Sequence, residues 1–402
     1  MRGAGVGRSV SGDAPLDGKL SVTASGVDRP INLLLLFVTM PIGGAETLCL
    51  EILNGIDRTR FNPTVCCIAR KGVLGERIEQ SGFEVVELQR MQSKRFDFGA
   101  VSALVRLMES RRIDILHANM YHANLYGRLA VRRMKKARPA VIAAIHSLYT
   151  ERKRYRLLVN RFLNRSTDRI LTVSGAARDD ILKYEKVAPD KVIVLPPGRS
   201  LSHLNVAITR EQAKERLGLA GFDFVVGTVG RLVTAKGYRF LLEAIANLAG
   251  RGIDVKLVMA GSGPLESALR DRAAELGIGE RVMLLGSRGD VPELLRGMDV
   301  FTLSSVSEAA PVALVEALAA GLPCVVTTVG GMVAMVDGGR CGVLTPPGDS
   351  AALADALAEL IQDESRRIEL GEAAARWAGM RYSSEAMIAS LESIYSSLMT
   401  GS

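Results

Sequence analysis

The run SSVSEAAPVALVEALAAGLPCVVT, residues 304–327, decides the fold. A β-like apolar stretch (Val300, Phe301, Thr302, Leu303) leads into it, and a turn of small residues follows. Pro311 then marks a helix start, because proline is tolerated in a first helical turn. The helix stops at Gly321-Leu322-Pro323, and Cys324-Val325-Val326-Thr327 reads as the next strand. Strand, helix and strand in this order make a βα unit of a parallel sheet. Glu308 stands just before the helix and Glu316 inside it, eight residues apart. Helical rise over that interval predicts a separation of ~12 Å on faces about 80° apart. Such a pair can grip both ends of an extended ligand, for example a sugar and a ribose joined through a diphosphate. A Glu-x7-Glu spacing alone is common on solvated helices, and its setting is what gives it weight.

The same alternation extends in both directions. Strands are expected over residues 32–38, 64–68, 84–88, 113–117 and 140–144, with helices over 45–56, 73–81 and 98–110. A second series has strands over 224–228, 256–260, 282–285, 300–303, 324–327 and 342–344, and helices over 238–249, 265–276 and 350–362. Around Leu195-Pro196-Pro197-Gly198-Arg199 the pattern pauses, as an interdomain linker would. The architecture expected is α/β, with two doubly wound Rossmann-like domains facing a central cleft. Residues 1–29 are rich in Gly, Ser, Asp and Arg without periodicity and read as a disordered tail. The first domain is expected over 30–200, the second over 201–381, and a last helix over 382–402.

Composition narrows the class. The 402 residues suffice for two domains, and 48% of them are hydrophobic. The five cysteines have no metal-ligand spacing and read as buried thiols of a reducing compartment. Four histidines argue against a histidine-rich metal site. No apolar run approaches the ~18–20 residues of a spanning helix, and no signal-peptide layout precedes residues 31–38. The expected location is therefore the cytoplasm, with peripheral attachment to the inner face of the membrane as an option.

Charge is uneven. Residues 1–200 carry 33 Lys and Arg against 19 Asp and Glu, a net +14, and the remainder carry 18 against 24, a net −6. The basic residues concentrate in two segments, 132–138 (Arg132, Arg133, Lys135, Lys136, Arg138) and 152–165 (Arg152, Lys153, Arg154, Arg156, Arg161, Arg165). Tyr155, Leu157, Leu158, Phe162 and Leu163 interleave with the second. This pattern suits an anionic membrane surface or an anionic lipid-linked acceptor; a solvated helix face packed on the domain is the competing reading. No nucleic-acid module accompanies the charge, so nucleic acid is not an expected partner.

Several loops carry candidate chemistry. Gly43-Gly44 follows a strand and opens a helix, where backbone N–H groups can face an anion; the loop lacks the full dinucleotide fingerprint, and on its own the pair reads first as a tight turn. Arg231 and Lys236 follow the strand at 224–228 and can neutralise a diphosphate leaving group without a metal. A loop salt bridge is their plain alternative.

In order, the chain contains Gly43-Gly44-Ala45-Glu46, Asp114-Ile115-Leu116-His117, Thr172-Val173-Ser174, Gly230-Arg231-Leu232-Val233, Lys236-Gly237, Gly261-Ser262-Gly263-Pro264, the paired glutamates and Val329-Gly330-Gly331. From about Ile31 onward it thereby resembles the retaining glycosyltransferases of family 4, which have the GT-B fold. The resemblance implies transfer of a sugar from a nucleotide diphosphate sugar to a lipid-linked or polysaccharide acceptor, in surface glycan biosynthesis. It implies that Gly43 and Gly44 approach the donor phosphates or sugar, and that Arg231 and Lys236 grip the diphosphate beside Gly230, Gly261 and Gly263. Glu308 would touch the sugar hydroxyls and Glu316 the ribose hydroxyls. The helix opening at Pro311 and Val312 would turn its N-terminal dipole to the phosphates. Backbone groups around Arg288 and Val291 would recognise the base. The last helix would cross back onto the first domain.

The resemblance implies no cofactor beyond the donor co-substrate. The chain also has no Asp-x-Asp, the usual metal anchor of the other large glycosyltransferase fold, so metal-independent chemistry is expected. At His117-Ala118-Asn119 relatives often read His-x-His. Asn119 can hydrogen-bond but cannot exchange a proton near neutral pH; His122 and His146 are the imidazoles nearby in sequence. Ala334 stands where relatives tend to carry a glutamate, and Pro197 and Ser200 where Asn and Asp are frequent. Two other functions remain in view. One is a catalytically degraded, nucleotide-sugar-binding partner or regulator. The other is a nucleotide-sugar epimerase, which needs acid–base side chains poised over the sugar.

Overall fold

The computed structural model describes residues 29–92, 95–135, 138–149, 154–200, 204 and 206–400. The expected N-terminal tail lies outside these residues except for Arg29, whose guanidinium forks onto Asp114 at 2.7 and 2.9 Å. Lys136, Arg152 and Lys153 also lie outside them.

Two parallel sheets form the protein. The first joins β1 (Ile31–Thr39), β2 (Phe61–Arg70), β3 (Val85–Glu87), β4 (Ile115–Asn119), β5 (Ala140–Ile145), β6 (Arg169–Thr172) and β7 (Val192–Val194) in the order β3-β2-β1-β4-β5-β6-β7. The second joins β8 (Val225–Val229), β9 (Lys256–Ala260), β10 (Val282–Leu284), β11 (Val300–Leu303), β12 (Cys324–Thr327) and β13 (Val343–Thr345) in the order β10-β9-β8-β11-β12-β13. Leu33, Leu34, Leu35, Leu36 and Phe37 are all buried, as a strand covered on both faces requires. Helices α1 (Gly44–Gly55), α2 (Gly72–Gln80), α3 (Phe98–Ser110), α4 (Met120–Arg133), α5 (Arg154–Leu163) and α6 (Gly175–Glu185) supply that cover in the first unit. In the second it comes from α7 (Arg210–Arg216), α8 (Tyr238–Gly250), α9 (Glu266–Glu275), α10 (Val291–Arg296), α11 (Val312–Ala319), α12 (Met332–Met335), α13 (Ser350–Gln362) and α14 (Glu364–Arg381).

Strands β6 and β7 are absent from the sequence reading. Each is at most four residues long and is entered through charged residues, Asp168-Arg169 and Asp190-Lys191. Such short runs show no period of their own, and pairing with β5 is what makes β6 a strand. A second difference concerns the glutamate pair. Residues 308–311 are not helical and α11 begins at Val312, so a helical rise does not govern the distance from Glu308 to Glu316.

The chain passes between the sheets twice, near Arg199 and near Ser383. The two passages bond to each other: Arg199 N–H donates to the Tyr382 carbonyl at 2.8 Å, and Ser384 N–H to the Arg199 carbonyl at 2.9 Å. At Gly198 a Cβ would sit 2.6 Å from both the Ser383 carbonyl oxygen and Met387 Cβ, so this crossing requires glycine. Helix α15 (Ser384–Thr400) then lies against α1 and buries Met387, Ile388, Leu391 and Tyr395 in the core of the first unit. Tyr395 Oη meets His117 Nδ1 at 2.7 Å inside that core. Tyr395→Phe should therefore lower the unfolding free energy by about 1–3 kcal/mol, the cost of leaving a buried polar group unpaired. Urea denaturation measures this, and an unchanged midpoint would deny the bond any share in docking α15.

Candidate active site at the facing strand reversals

Open parallel sheets bind ligands beyond the strand carboxyl ends, where strand order reverses. The reversals here lie between β1 and β4 and between β8 and β11. Gly43-Gly44 follows β1, Asn119 ends β4, Arg231 and Lys236 follow β8, and Glu308 follows β11. The two reversals face each other across a narrow cleft. A Cβ on Gly44 would lie 3.4 Å from Val312 Cγ2 at the start of α11. Val173 and Ala177 bury an apolar contact with Ala309, beside Leu148 and Ala310. Buried Glu46 follows the paired glycines. Burial pushes its carboxyl up, while its own backbone N–H and the charge of Arg231 across the cleft pull it back.

On the second unit, Lys236 Nζ and Glu308 Oε1 pair at 2.5 Å with both side chains largely buried. Arg231 is exposed toward the cleft mouth. The loops after β8 and β9 are drawn together by Gly230 N–H donating to the Ala260 carbonyl at 2.9 Å and Leu232 N–H to the Ser262 carbonyl at 3.0 Å. At Gly261, φ is +140° and a Cβ would overlap the Gly230 carbonyl oxygen. Gly263 is pressed against the Leu232 backbone in the same way. In this state Gly230, Gly261 and Gly263 fasten loop to loop. Exposed Arg288 forks onto Asp290 at 2.8 and 2.5 Å, just ahead of Val291, the first residue of α10. Pro311 caps α11 and Val312 begins it. Glu316 is buried, and its Oε1 accepts from Arg199 Nη2 at 2.7 Å.

On the first unit, His117 is buried in β4 and turned to Tyr395. Asn119 Oδ1 meets His146 Nε2 at 3.0 Å, just past the end of β5. Burial pushes the His146 imidazole down to about 4, so at neutral pH it is uncharged and Nε2–H donates to Asn119. Its Nδ1 is then a buried acceptor with no partner among the described residues. His117, Asn119, His146, Ala45, Thr172 and Pro197 help line a largely apolar cavity of about 40 Å³, room for one or two waters. Among the described residues, no group of three or more His, Cys, Asp or Glu side chains is placed to hold a metal ion.

Two family models match the chain, one over each unit. Residues 42–203 match Glycosyltransferase Family 4, and residues 209–377 match Glycosyl transferases group 1. The chain belongs to the family-4 glycosyltransferases. Its similarity to the UDP-Gal:alpha-D-GlcNAc-diphosphoundecaprenol alpha-1,3-galactosyltransferase of Escherichia coli is 28% identity, over 81% of this chain and 87% of that protein. With the N-acetyl-alpha-D-glucosaminyl L-malate synthase of Bacillus anthracis it shares 25% identity, over 75% and 79%. Among solved structures, Anabaena HepE in complex with UDP and glucose superposes with a TM-score of 0.81 at 23% identity, covering 91% of this chain and all of that one. WaaG superposes at 0.70 and 20% identity, covering 92% of this chain and all of WaaG. These likenesses establish the GT-B fold.

Within this family-4 glycosyltransferase, Gly43, Gly44, Arg231, Lys236, Glu308, Pro311 and Val312 converge on one cleft. His122 does not join them, because it lies on α4 with its ring against Tyr121. His146 does, although it is 27 residues from Asn119. Its sequence signal is position alone, directly after an apolar run of strand type. Arg199 falls in the expected linker, and nothing local in the sequence marks it as the partner of Glu316.

Burial and His146 push the imidazole of His117 from its ordinary 6.5 down to about 3. The unfolded chain therefore takes up this proton first as pH falls. Stability tied to neutral His117 is complete above pH 6.5 and is lost toward pH 3, at up to about 1.4 kcal/mol per pH unit. Urea midpoints between pH 4.5 and 7.5 should fall more steeply in the wild type than in His117→Gln. Equal slopes would remove His117 from the acid response.

Proposed function

We propose that this protein is a retaining, metal-independent hexosyltransferase. It moves a sugar from a nucleotide diphosphate sugar to a lipid-linked or polysaccharide acceptor at the cytoplasmic face of a membrane, in surface glycan biosynthesis. The observation that carries the reading is the pairing of cationic Arg231 and Lys236 on one strand reversal with the Gly43-Gly44 turn on the facing one. A diphosphate in that cleft meets two positive side chains and the amino end of α11, and leaving-group charge is stabilised by such preorganised groups. Lys236 would divide its charge between Glu308 and the phosphate. Glu308 would keep an oxygen for the sugar hydroxyls and Glu316 one for the ribose. The departing phosphate oxygen takes the acceptor proton on the face it leaves, so the anomeric configuration is kept without an enzyme nucleophile. The acceptor enters from the Asn119 and His146 side of the cleft. A lipid-diphosphate acceptor also agrees with the Escherichia coli relative, whose name specifies one.

A panel of UDP-, GDP- and ADP-sugars tests this, with slow donor hydrolysis read with and without chelator. One donor should be hydrolysed at a rate indifferent to chelator, with the α-anomer of the sugar released first. Arg231→Ala or Lys236→Ala should slow that turnover about 10²–10³-fold, the scale of about 2.7–4 kcal/mol for a lost preorganised contact. Chelator-sensitive turnover would overturn metal independence, and unchanged turnover in both variants would remove the phosphate grip.

The membrane-side partner follows from α5. This helix turns Asn160 into the protein and leaves Tyr155, Leu158 and Phe162, spaced along one face, 59%, 62% and 46% exposed. Arg132 lies over the Phe162 ring at 4.1 Å, and Arg133 and Arg165 are exposed nearby in sequence. An apolar stripe with arginine flanks matches an anionic bilayer interface, where each basic residue contributes about 1 kcal/mol. Among the described residues, no helix is long and apolar enough to cross a membrane. The protein should float with phosphatidylglycerol-containing vesicles at low salt, and Leu158→Glu with Phe162→Glu should weaken this at least tenfold. Absence of wild-type flotation would sink the surface assignment.

A further inference from the structure

Arg199 lies in the passage between the sheets, yet its guanidinium is almost wholly buried. Nη1 donates to Glu51 Oε1 at 2.6 Å, on α1 of the first unit, and Nη2 to Glu316 Oε1 at 2.7 Å, on α11 of the second. The other Glu51 oxygen accepts from the Ser200 backbone N–H at 3.2 Å. All three charged side chains are about one-tenth exposed. Among the described residues, two carboxylates therefore share one guanidinium in a buried cluster, a formal excess of one negative charge. Such a cluster stays ionised only while the shared cation is held, since a buried charge without its partner is strongly disfavoured.

We propose that Arg199 is a positioning residue for donor binding: it fixes the carboxylate of Glu316, and through Glu51 it makes the strength of that hold depend on the first unit. The proposal rests on the reading of Glu316 as the ribose contact. Glu51 never reaches the donor in this scheme. It acts by taking one arm of Arg199 and by repelling Glu316.

The electrostatics give this a signature. Burial pushes the Glu316 carboxyl up, Glu51 pushes the same way, and Arg199 opposes both. The other elements packed against α11 present apolar groups: Ala374 and Ala378 from α14, Phe301 and Leu303 from β11, Val326 from β12. The Cys324 thiol of β12 is kept protonated by burial. Removing the guanidinium leaves two influences acting in one direction, so Glu316 should take a proton at higher pH than in the wild type. A protonated carboxyl is a poorer acceptor for ribose hydroxyls. Donor affinity in Arg199→Gln should then improve with rising pH more steeply than that of the wild type. Adding Glu51→Gln removes the repulsion and should move the recovery to lower pH. A residue that merely braced the fold would weaken binding equally at every pH.

The test is calorimetric binding of UDP, with GDP and ADP in parallel, between pH 6 and 8.5. Each variant is expressed as a ratio to the wild type at the same pH, which cancels phosphate ionisation. Glu316→Gln should lose about tenfold at all pH values. Arg199→Gln should lose at least tenfold at pH 6 and recover most of it by pH 8.5, and Arg199→Gln with Glu51→Gln should recover earlier. If Arg199→Gln does not fold, Arg199→Lys carries the test. Its retained charge should give a smaller loss and a profile parallel to the wild type, and a loss as large as that of Glu316→Gln would overturn the proposal. A flat ratio for Arg199→Gln while Glu316→Gln binds weakly overturns the role of Arg199 and leaves the ribose reading standing. Wild-type affinity in Glu316→Gln overturns the ribose reading itself, and the proposal with it.

Discussion

A chain that builds two sheets and returns to the first must cross between them twice, and here both crossings are bound to one residue. The backbone of Arg199 bonds to Tyr382 and Ser384, and its side chain bonds to Glu51 and Glu316. Four separated segments thus meet at one residue: the two passages through its backbone, α1 and α11 through its guanidinium. Gly198 lets the two passages approach, and α15 continues from them into the core beside His117. The relative placement of the two strand reversals, and with it the width of the cleft, depends on this junction.

The cleft so defined is nearly shut and internally neutralised. Lys236 is held by Glu308, Glu316 by Arg199, and Arg288 by Asp290. The first two pairs are buried, and each limits the cost of keeping a charge away from water until an anionic ligand takes over part of the partnership. Arg231 differs, being exposed where the cleft opens and felt at Glu46 on the opposite wall. Away from the Arg199 junction, contacts across the cleft include small apolar ones, Val173 and Ala177 against Ala309 and Gly44 against Val312. Contacts of that kind separate at little cost, which suits a site that must open to admit a sugar nucleotide.

Local packing around α5 reverses the usual arrangement. Arg128 donates to Asn164 at 2.9 Å and to Asn160 at 2.8 Å, and Asn164 donates to Glu185 at 2.8 Å, all in buried surroundings. The helix is therefore held largely by a satisfied polar network, which releases its tyrosine, leucine and phenylalanine to the outside.

Strand and helix runs were legible in the sequence because their periods and lengths are local properties: β9, β11, β12, α3 and α13 fall on the expected residues. The family was legible for a related reason, since its motifs are short strings at strand ends in a fixed order. Gly43-Gly44, Arg231, Lys236 and the two glutamates could be named from that order alone. Strands β6 and β7 were not: β11 and β12 are just as short but flank a helix delimited by Pro311 and Gly321, whereas β6 and β7 are entered through charged residues and have no such frame. The sequence could not foretell that Asn119 would hold His146, or that Glu316 would share Arg199 with Glu51. Those partnerships join residues 27, 117 and 148 positions apart, and distances of that kind are set by the closing of two sheets on each other, which no local pattern encodes.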